Sequence, residues 1–453
     1  MREQEMGERN TESPRRRRRS RGYWRIFLVL GGLFVALLLL VVMALFRTDS
    51  NTESIPGPKT YAELNEYYAA VPDDQNAGLK FDQLVQSGKI GPIHAAADRI
   101  VDFEHKGWLP EGQELPDLVP LLEQSKEGLE ELHALLQLEH SRFPIDLAEG
   151  PGVRLGHLTT LRTICRAEKL IALQKIEAGD VEGSYLHLRD CWRIGRLLKH
   201  EPILYSQLVR IATHGIAVDA TARVVAHGGF TDAQLQDLAK AALDERDPDL
   251  LFRALLGERA FYLGNGYATD GFGQSVMVSL GYQFFMRVMN DILRASQLPD
   301  LDIAPAFDKI NAELKKAENA SVLSQTINMI PLMVLPGYAR ASDALLRDRA
   351  TIDVFVLGMA IERYKLANGV PPDTLDQLVP AFIDAVPVDI FANEPCKYLR
   401  LPDGYVVYSI GPDRTDNSGL EREAGAKGKR EWDIPFRVPP AVEEEPADEL
   451  SQT

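Results

Sequence analysis

The chain has 453 residues, 45% of them hydrophobic and 26% charged, which is the composition of a globular protein with two or more folding units. Its net charge is −16, but residues 1–25 hold nine Arg against four Glu, a balance of +5 that leaves −21 for the rest. So acidic a body excludes nucleic-acid binding, which needs basic patches against phosphates, and three cysteines exclude a disulfide-built scaffold.

Residues 1–25 read as a basic cytoplasmic tail carrying the run Arg15, Arg16, Arg17, Arg18 and Arg19. Ile26 to Phe46, "IFLVLGGLFVALLLLVVMALF", follows with 21 uncharged residues; at a rise of 1.5 Å each, a helix here spans about 31 Å, one hydrocarbon core. Tyr23 and Trp24 stand where interfacial aromatics belong, and the downstream "RTDSNTES" is nearly neutral. The charge step predicts a single-pass anchor with the N-terminus in the cytoplasm and the body outside it. For a bacterial source that is the periplasmic side of the inner membrane. The rival reading is a signal peptide cleaved before Leu45, but its apolar region runs only about 7–15 residues. The Arg run is expected to rest on anionic lipid, at about 1 kcal/mol per charge.

Residues 47–59 have the Ser, Asn, Pro and Gly of a linker, and a helical domain is expected over 60–340. Leucines at three- and four-residue steps predict one helix of about seven turns over 118–143. Residues 155–200 predict a helical hairpin in which Gly179 stops the first arm and Asp180 caps the second. Its turn, "EAGDVEG", resembles the inter-helix turn of tetratricopeptide repeats over this one hairpin, but no 34-residue period continues it. An irregular antiparallel helical bundle is therefore expected. Cys165 and Cys191 lie on the two arms and should approach, as buried thiols or as a bridge outside the cytoplasm. A further helix over 202–228 starts at Pro202 and ends at Gly228, and Thr231 is the expected cap of the next. The Gly- and aromatic-rich stretch near 262–300 reads as a loop packing on the bundle before turning helical, or as an exposed aromatic patch for a partner, and 329–369 is again helical.

Chemistry is sparse in this pattern. All nine His fall between His94 and His227; His187 and Cys191 share a helix face as zinc ligands can, and His133 and His140 are seven apart. No third and fourth ligands stand at a recognisable spacing, so these read as ordinary bundle residues. Glu258 and Arg259 lie in an apolar stretch and read as an internal ion pair, or as a site with an acid–base carboxylate. There is no Gly-x-Ser-x-Gly elbow, Walker A loop or His-Glu-x-x-His, and no catalytic residue is assigned.

The chain's end differs. "YVVYSIGPDRTDNSG", 405–419, alternates aromatic and β-branched residues through Ile410, then breaks at Gly411 and Pro412 into a loop rich in Asp and Asn. Residues 351–436 resemble the globular domain of the major pseudopilins of bacterial type II secretion. "TIDVFVLGMAIERYKLANGVPPDTLDQLVP" matches that family's helix and following loop, "AVPVDIFANEPCKYL" its turn, "YVVYSIGPDRTDNSG" its strand and loop, and "EWDIPF" its closing segment. The resemblance implies a small α+β module over 341–438 and a Ca²⁺ site of oxygen ligands from Asp413, Asp416, Asn417 and Asp433. The rival reading of the loop is an Asx-rich turn closing a small sheet. This chain departs from the family at Asp389, followed by Ile390 and Phe391 rather than Pro-Trp, and at Ala392 where Gly is usual. It also lacks the family's processing motif, and about 300 helical residues separate anchor from module. Residues 439–453 read as a disordered acidic tail.

The expected protein is mainly α: a transmembrane helix, an extracytoplasmic antiparallel helical bundle and a small α+β module. The expected function is that of an envelope scaffold or interaction protein, associated with secretion or pilus-like machinery through the family resemblance. The alternative is an envelope enzyme with an acid/base or metal site in the helical domain.

Overall fold

A computed structural model describes residues 55–95, 119–267, 276–420 and 432–439. The predicted span over 26–46, the basic tail and most of the acidic tail lie outside them. Among the described residues no helix is long and apolar enough to cross a membrane.

Local signals start most of the helices. Thr60 caps α1 (Tyr61–Tyr67), and Asn76 caps α2 (Ala77–Gln86) by accepting from the Leu79 amide. After α3 (Gly91–Ala95), the predicted long helix over 118–143 is two shorter ones, α4 (Val119–Gln124) and α5 (Lys126–Leu135). The chain leaves the helix at Leu136 because residues 140–142 are captured elsewhere. The Ala77 amide donates to the His140 carbonyl at 2.9 Å, and the Arg142 amide to Asn76 Oδ1 at 2.8 Å.

The predicted hairpin is α6 (Gly156–Glu177) and α7 (Val181–Arg196). Gly179 takes φ 76° in the turn, a left-handed conformation that favours glycine, and Asp180 Oδ1 accepts from the Gly183 amide at 2.8 Å. Cys165 and Cys191 do approach across it, as buried free thiols; each Sγ donates to the other's carbonyl, at 3.9 and 3.7 Å. Next come α8 (Leu204–Val225) and α9 (Asp232–Asp244), the latter opened by a capping box of Thr231 and Gln234. α10 (Leu250–Tyr262), α11 (Val276–Ala295), α12 (Asp300–Glu318) and the short α13 (Val322–Ile327) lead into α14 (Met329–Asn368). α14 has 40 residues, about 60 Å, and ends where Gly369 takes φ 80°.

The predicted boundary between residues 340 and 341 falls inside α14. Its two halves serve two cores. Residues 335–350 pack with α10, α11 and α12, and residues 352–361 pack with α6, α7, α8 and α9. The strands are β1 (Val388–Asp389), β2 (Glu394–Pro395), β3 (Lys397–Leu401), β4 (Gly404–Ser409) and β5 (Ile434–Val438). β1 pairs with β2, and β3-β4-β5 form an antiparallel sheet with Tyr405 opposite Val438 and Val407 opposite Phe436.

Central β4 is buried on both faces, which explains its continuous apolar run. Tyr405 and Val407 join the core shared with α6–α9, while Val406 and Tyr408 join the one shared with α10–α12. The sheet docks on α14 at Gly358, whose carbonyl accepts from Tyr405 Oη at 3.2 Å. A Cβ there would stand 2.2 Å from the Phe436 ring, so only glycine admits so close an approach. The described residues are thus mainly helical, with a small strand-bearing end whose core is continuous with the helices. They belong to one compact unit.

Candidate functional site

An open cavity of about 920 Å³ lies between α9, α14 and the segment 382–390. Leu243, Val356, Phe382, Ile383, Val388 and Ile390 supply its apolar lining. Leu243, Leu301 and Val388 are 43%, 40% and 45% exposed, so the lining leaves a group of apolar side chains open to solvent. The charged groups around it are mostly engaged with one another. Arg246 pairs with Asp353, Arg349 with Asp300, and Arg363 with Asp232 at 2.7 Å while also donating to the Phe382 carbonyl at 3.1 Å.

Glu258 and Arg259, expected as an ion pair, are not one. Neighbours in a helix point about 100° apart, so each meets a different element. Glu258 Oε1 accepts from the Leu204 amide at 3.1 Å and so caps α8, with burial pushing its pKa up. Arg259 Nη1 donates to the Ile55 carbonyl at 2.8 Å. His187 and Cys191 likewise part: the thiol turns to α6, and His187 Nδ1 lies 2.5 Å from Glu168 Oε2. His140 lies beyond the end of α5, off the face that His133 occupies.

The structure instead joins His133, from α5, to His187 through Glu168 of α6. His133 Nε2 lies 3.1 Å from Glu168 Oε1 and 3.9 Å from Asp190 Oδ2. Glu168 is wholly buried, so burial pushes its pKa up, but the two imidazoles outweigh this and hold it at about 2. Burial lowers the His133 pKa, yet Glu168 and Asp190 carry it above the ordinary imidazole value. Spacing within one helix hid this trio, since its members lie on three elements. One signal was available: Glu168 sits in the apolar stripe of α6 formed by Leu161, Ile164, Cys165 and Ala172, where a carboxylate needs a partner.

The Asp-rich loop closes by hydrogen bonds of its own. Asp433 accepts from the Asn417 amide at 3.1 Å and the Gly419 amide at 2.6 Å, so it does tie the closing segment to the loop. Asp416 Oδ1 accepts from the Ser418 amide at 2.9 Å and from Tyr408 Oη at 3.0 Å, and Asp413 Oδ1 from the Thr415 amide at 3.1 Å. Burial raises the Asp433 pKa, its two amide bonds oppose this, and the Asp416 and Asp413 charges add to the rise. These three carboxylates do not gather as closely as the trio above. Among the described residues, only His133, Glu168 and His187 form a group of ligand atoms all within 4.8 Å of one another.

Comparisons with protein-family models, with curated proteins and with solved structures found no match to this chain.

Proposed function

We propose that this is a membrane-anchored, noncatalytic interaction protein of the cell envelope, whose groove between α9, α14 and residues 382–390 seats an apolar stretch of a partner polypeptide. The observation that carries the reading is the groove's composition: an apolar lining in which large hydrophobics stay exposed, beside charges already engaged. The anchor is supported by the uncharged run over 26–46 and the Arg cluster before it. An association with secretion or pilus-like machinery is supported by the pseudopilin-like order of motifs over 351–436, an argument from analogy.

A photo-crosslinking side chain in place of Leu243 tests the groove in the intact membrane protein. It should give a discrete crosslinked product that is absent when the probe replaces Val370, an exposed residue outside the groove, and that is lost on adding Val388→Glu. Equal labelling from both positions, or a product unaffected by Val388→Glu, overturns the reading.

The same proposal includes Ca²⁺ at Asp413, Asp416, Asn417 and Asp433. It is supported by the mutual repulsion of the carboxylates and by Asp413 Oδ2, buried without a hydrogen-bond partner. A cation bound only to the folded chain stabilises it by RT ln(1 + [L]/Kd), about 2.7 kcal/mol at a hundredfold excess. Melting of the whole chain in millimolar Ca²⁺ should therefore exceed that in chelator, and Asp416→Ala should remove the difference. Identical melting temperatures leave an Asx-rich turn held by amides alone.

A further inference from the structure

The trio of His133, Glu168 and His187 plays no part in the groove. We propose that it binds one divalent transition-metal ion of the zinc class, with Asp190 as the neighbouring carboxylate.

The ligand types select the ion. Two imidazoles and a carboxylate suit zinc and its first-row neighbours, whereas calcium and magnesium take oxygen shells. The geometry is nearly assembled. Bonds of about 2.0–2.1 Å in a tetrahedron place ligand atoms about 3.4 Å apart. His133 Nε2 and His187 Nδ1 lie 3.1 and 2.5 Å from the two Glu168 oxygens, and all three groups fall within 4.8 Å. Small rotations of the two imidazoles open the space for an ion while both keep facing the carboxylate.

Packing fixes the three donors from separate helices. α6 and α7 are held together beside the site by Ser184 Oγ, which donates to the Ala172 carbonyl at 2.7 Å. Glu168 is fully enclosed, while the His133 side chain is 30% exposed, so the trio has one solvent-facing side. That side gives the ion a path in and leaves a fourth position for water, as in zinc sites with three protein ligands. The local electrostatics leave Glu168 open to a cation: Arg193 and Arg189 approach Asp190, at 3.3 and 3.6 Å, whereas Glu168 is met by the two imidazoles. Without an ion the two imidazoles satisfy Glu168 by hydrogen bonds, so the metal must compete with those bonds. That competition is what the experiment measures.

The probe is the metal alone. Full-length protein in detergent, stripped with chelator, is titrated with Zn²⁺ and then with Co²⁺, whose visible absorption reports coordination number. The wild-type chain should take one equivalent of Zn²⁺, and its Co²⁺ form should show the strong visible bands of a four-coordinate ion. His133→Gln, at the most exposed member, should weaken binding by well over roughly 100-fold, beyond the roughly 10–100-fold that outer-shell changes produce. His157→Gln, at a buried imidazole whose Nε2 lies 3.1 Å from Glu201 Oε2, should leave binding unchanged. Failure of the wild-type chain to bind one equivalent overturns the site. So does equal affinity in a His133→Gln chain that melts like the wild type in chelator. If that variant does not fold, a weak six-coordinate Co²⁺ spectrum from the wild-type chain overturns it instead.

Discussion

Replacing Glu245 with alanine is expected to destabilise the folded chain by about 3–5 kcal/mol, the loss seen when one partner of a buried ion pair is removed. Arg210 and Glu245 are 1% and 3% exposed. The guanidinium donates through Nε and Nη2 to Glu245 Oε2 at 3.1 and 2.7 Å. His214, one turn along α8, places Nε2 at 3.5 Å from the same oxygen, and its Nδ1 lies 2.8 Å from Asp348 Oδ1 on α14. Glu245→Ala would leave Arg210 buried without its carboxylate and His214 with one acid instead of two. The urea midpoint of the purified chain reads the effect. A change below about 1 kcal/mol would show that water or a rotated side chain replaces the pair, and Arg210→Met with Glu245→Leu should recover most of the loss.

The same network sets a pH window. Burial pushes the Glu245 pKa up, but Arg210 and His214 overcome this and hold it at about 2, so its contribution is present above about pH 4.3 and lost as pH falls toward 2. Burial lowers the His214 pKa, but Asp348 and Glu245 raise it above the usual imidazole value. Its contribution is therefore present below about pH 6.5 and lost as pH rises through the raised value. Wild-type stability from this network should peak between those limits, and Glu245→Ala should flatten its acid limb.

A chain ending at residue 340 is expected to lose its cooperative melt. That cut leaves intact every helix of the predicted helical domain before α14, yet it removes what covers them. Trp192 of α7 loses Phe355, 5.0 Å away between ring centres, and His214 loses Asp348. Leu346, Ile352, Val354, Phe355, Leu357 and Ile361 leave the two cores together with Tyr405, Val407 and Phe436 of the sheet. Each such side chain contributes about 1.5–3 kcal/mol when buried, so the nine together lose roughly 14–27 kcal/mol of gross burial, comparable to or larger than the net 5–15 kcal/mol by which whole domains are stable. Far-UV circular dichroism of the shortened chain should remain helical while near-UV signal and the sharp transition disappear. A cooperative melt with native near-UV signal would instead show that residues 60–340 fold alone.

Much of the fold was legible because it is written in near neighbours. Gly179 and Asp180 turn the α6–α7 hairpin, Thr231 and Gln234 open α9, and Gly369 ends α14 through contacts within four residues of each. The strand at Tyr405 and the polar loop after Gly411 were equally plain, since alternation and turn chemistry are local. What those segments meet was not. Asp433 reaches the Asn417 and Gly419 amides from 16 and 14 residues away, and α5 ends early because Asn76 captures the chain 66 residues distant at Arg142. Glu168 could be read as a carboxylate in an apolar stripe, but His133 and His187 became its partners only when α5 and α7 packed against α6. That residue 340 lies inside a continuous α14 has the same origin. Periodicity reports where each helix has an apolar face, whereas the choice of which face covers which is made by packing among residues far apart in the chain, and there α14 and β4 serve both cores at once.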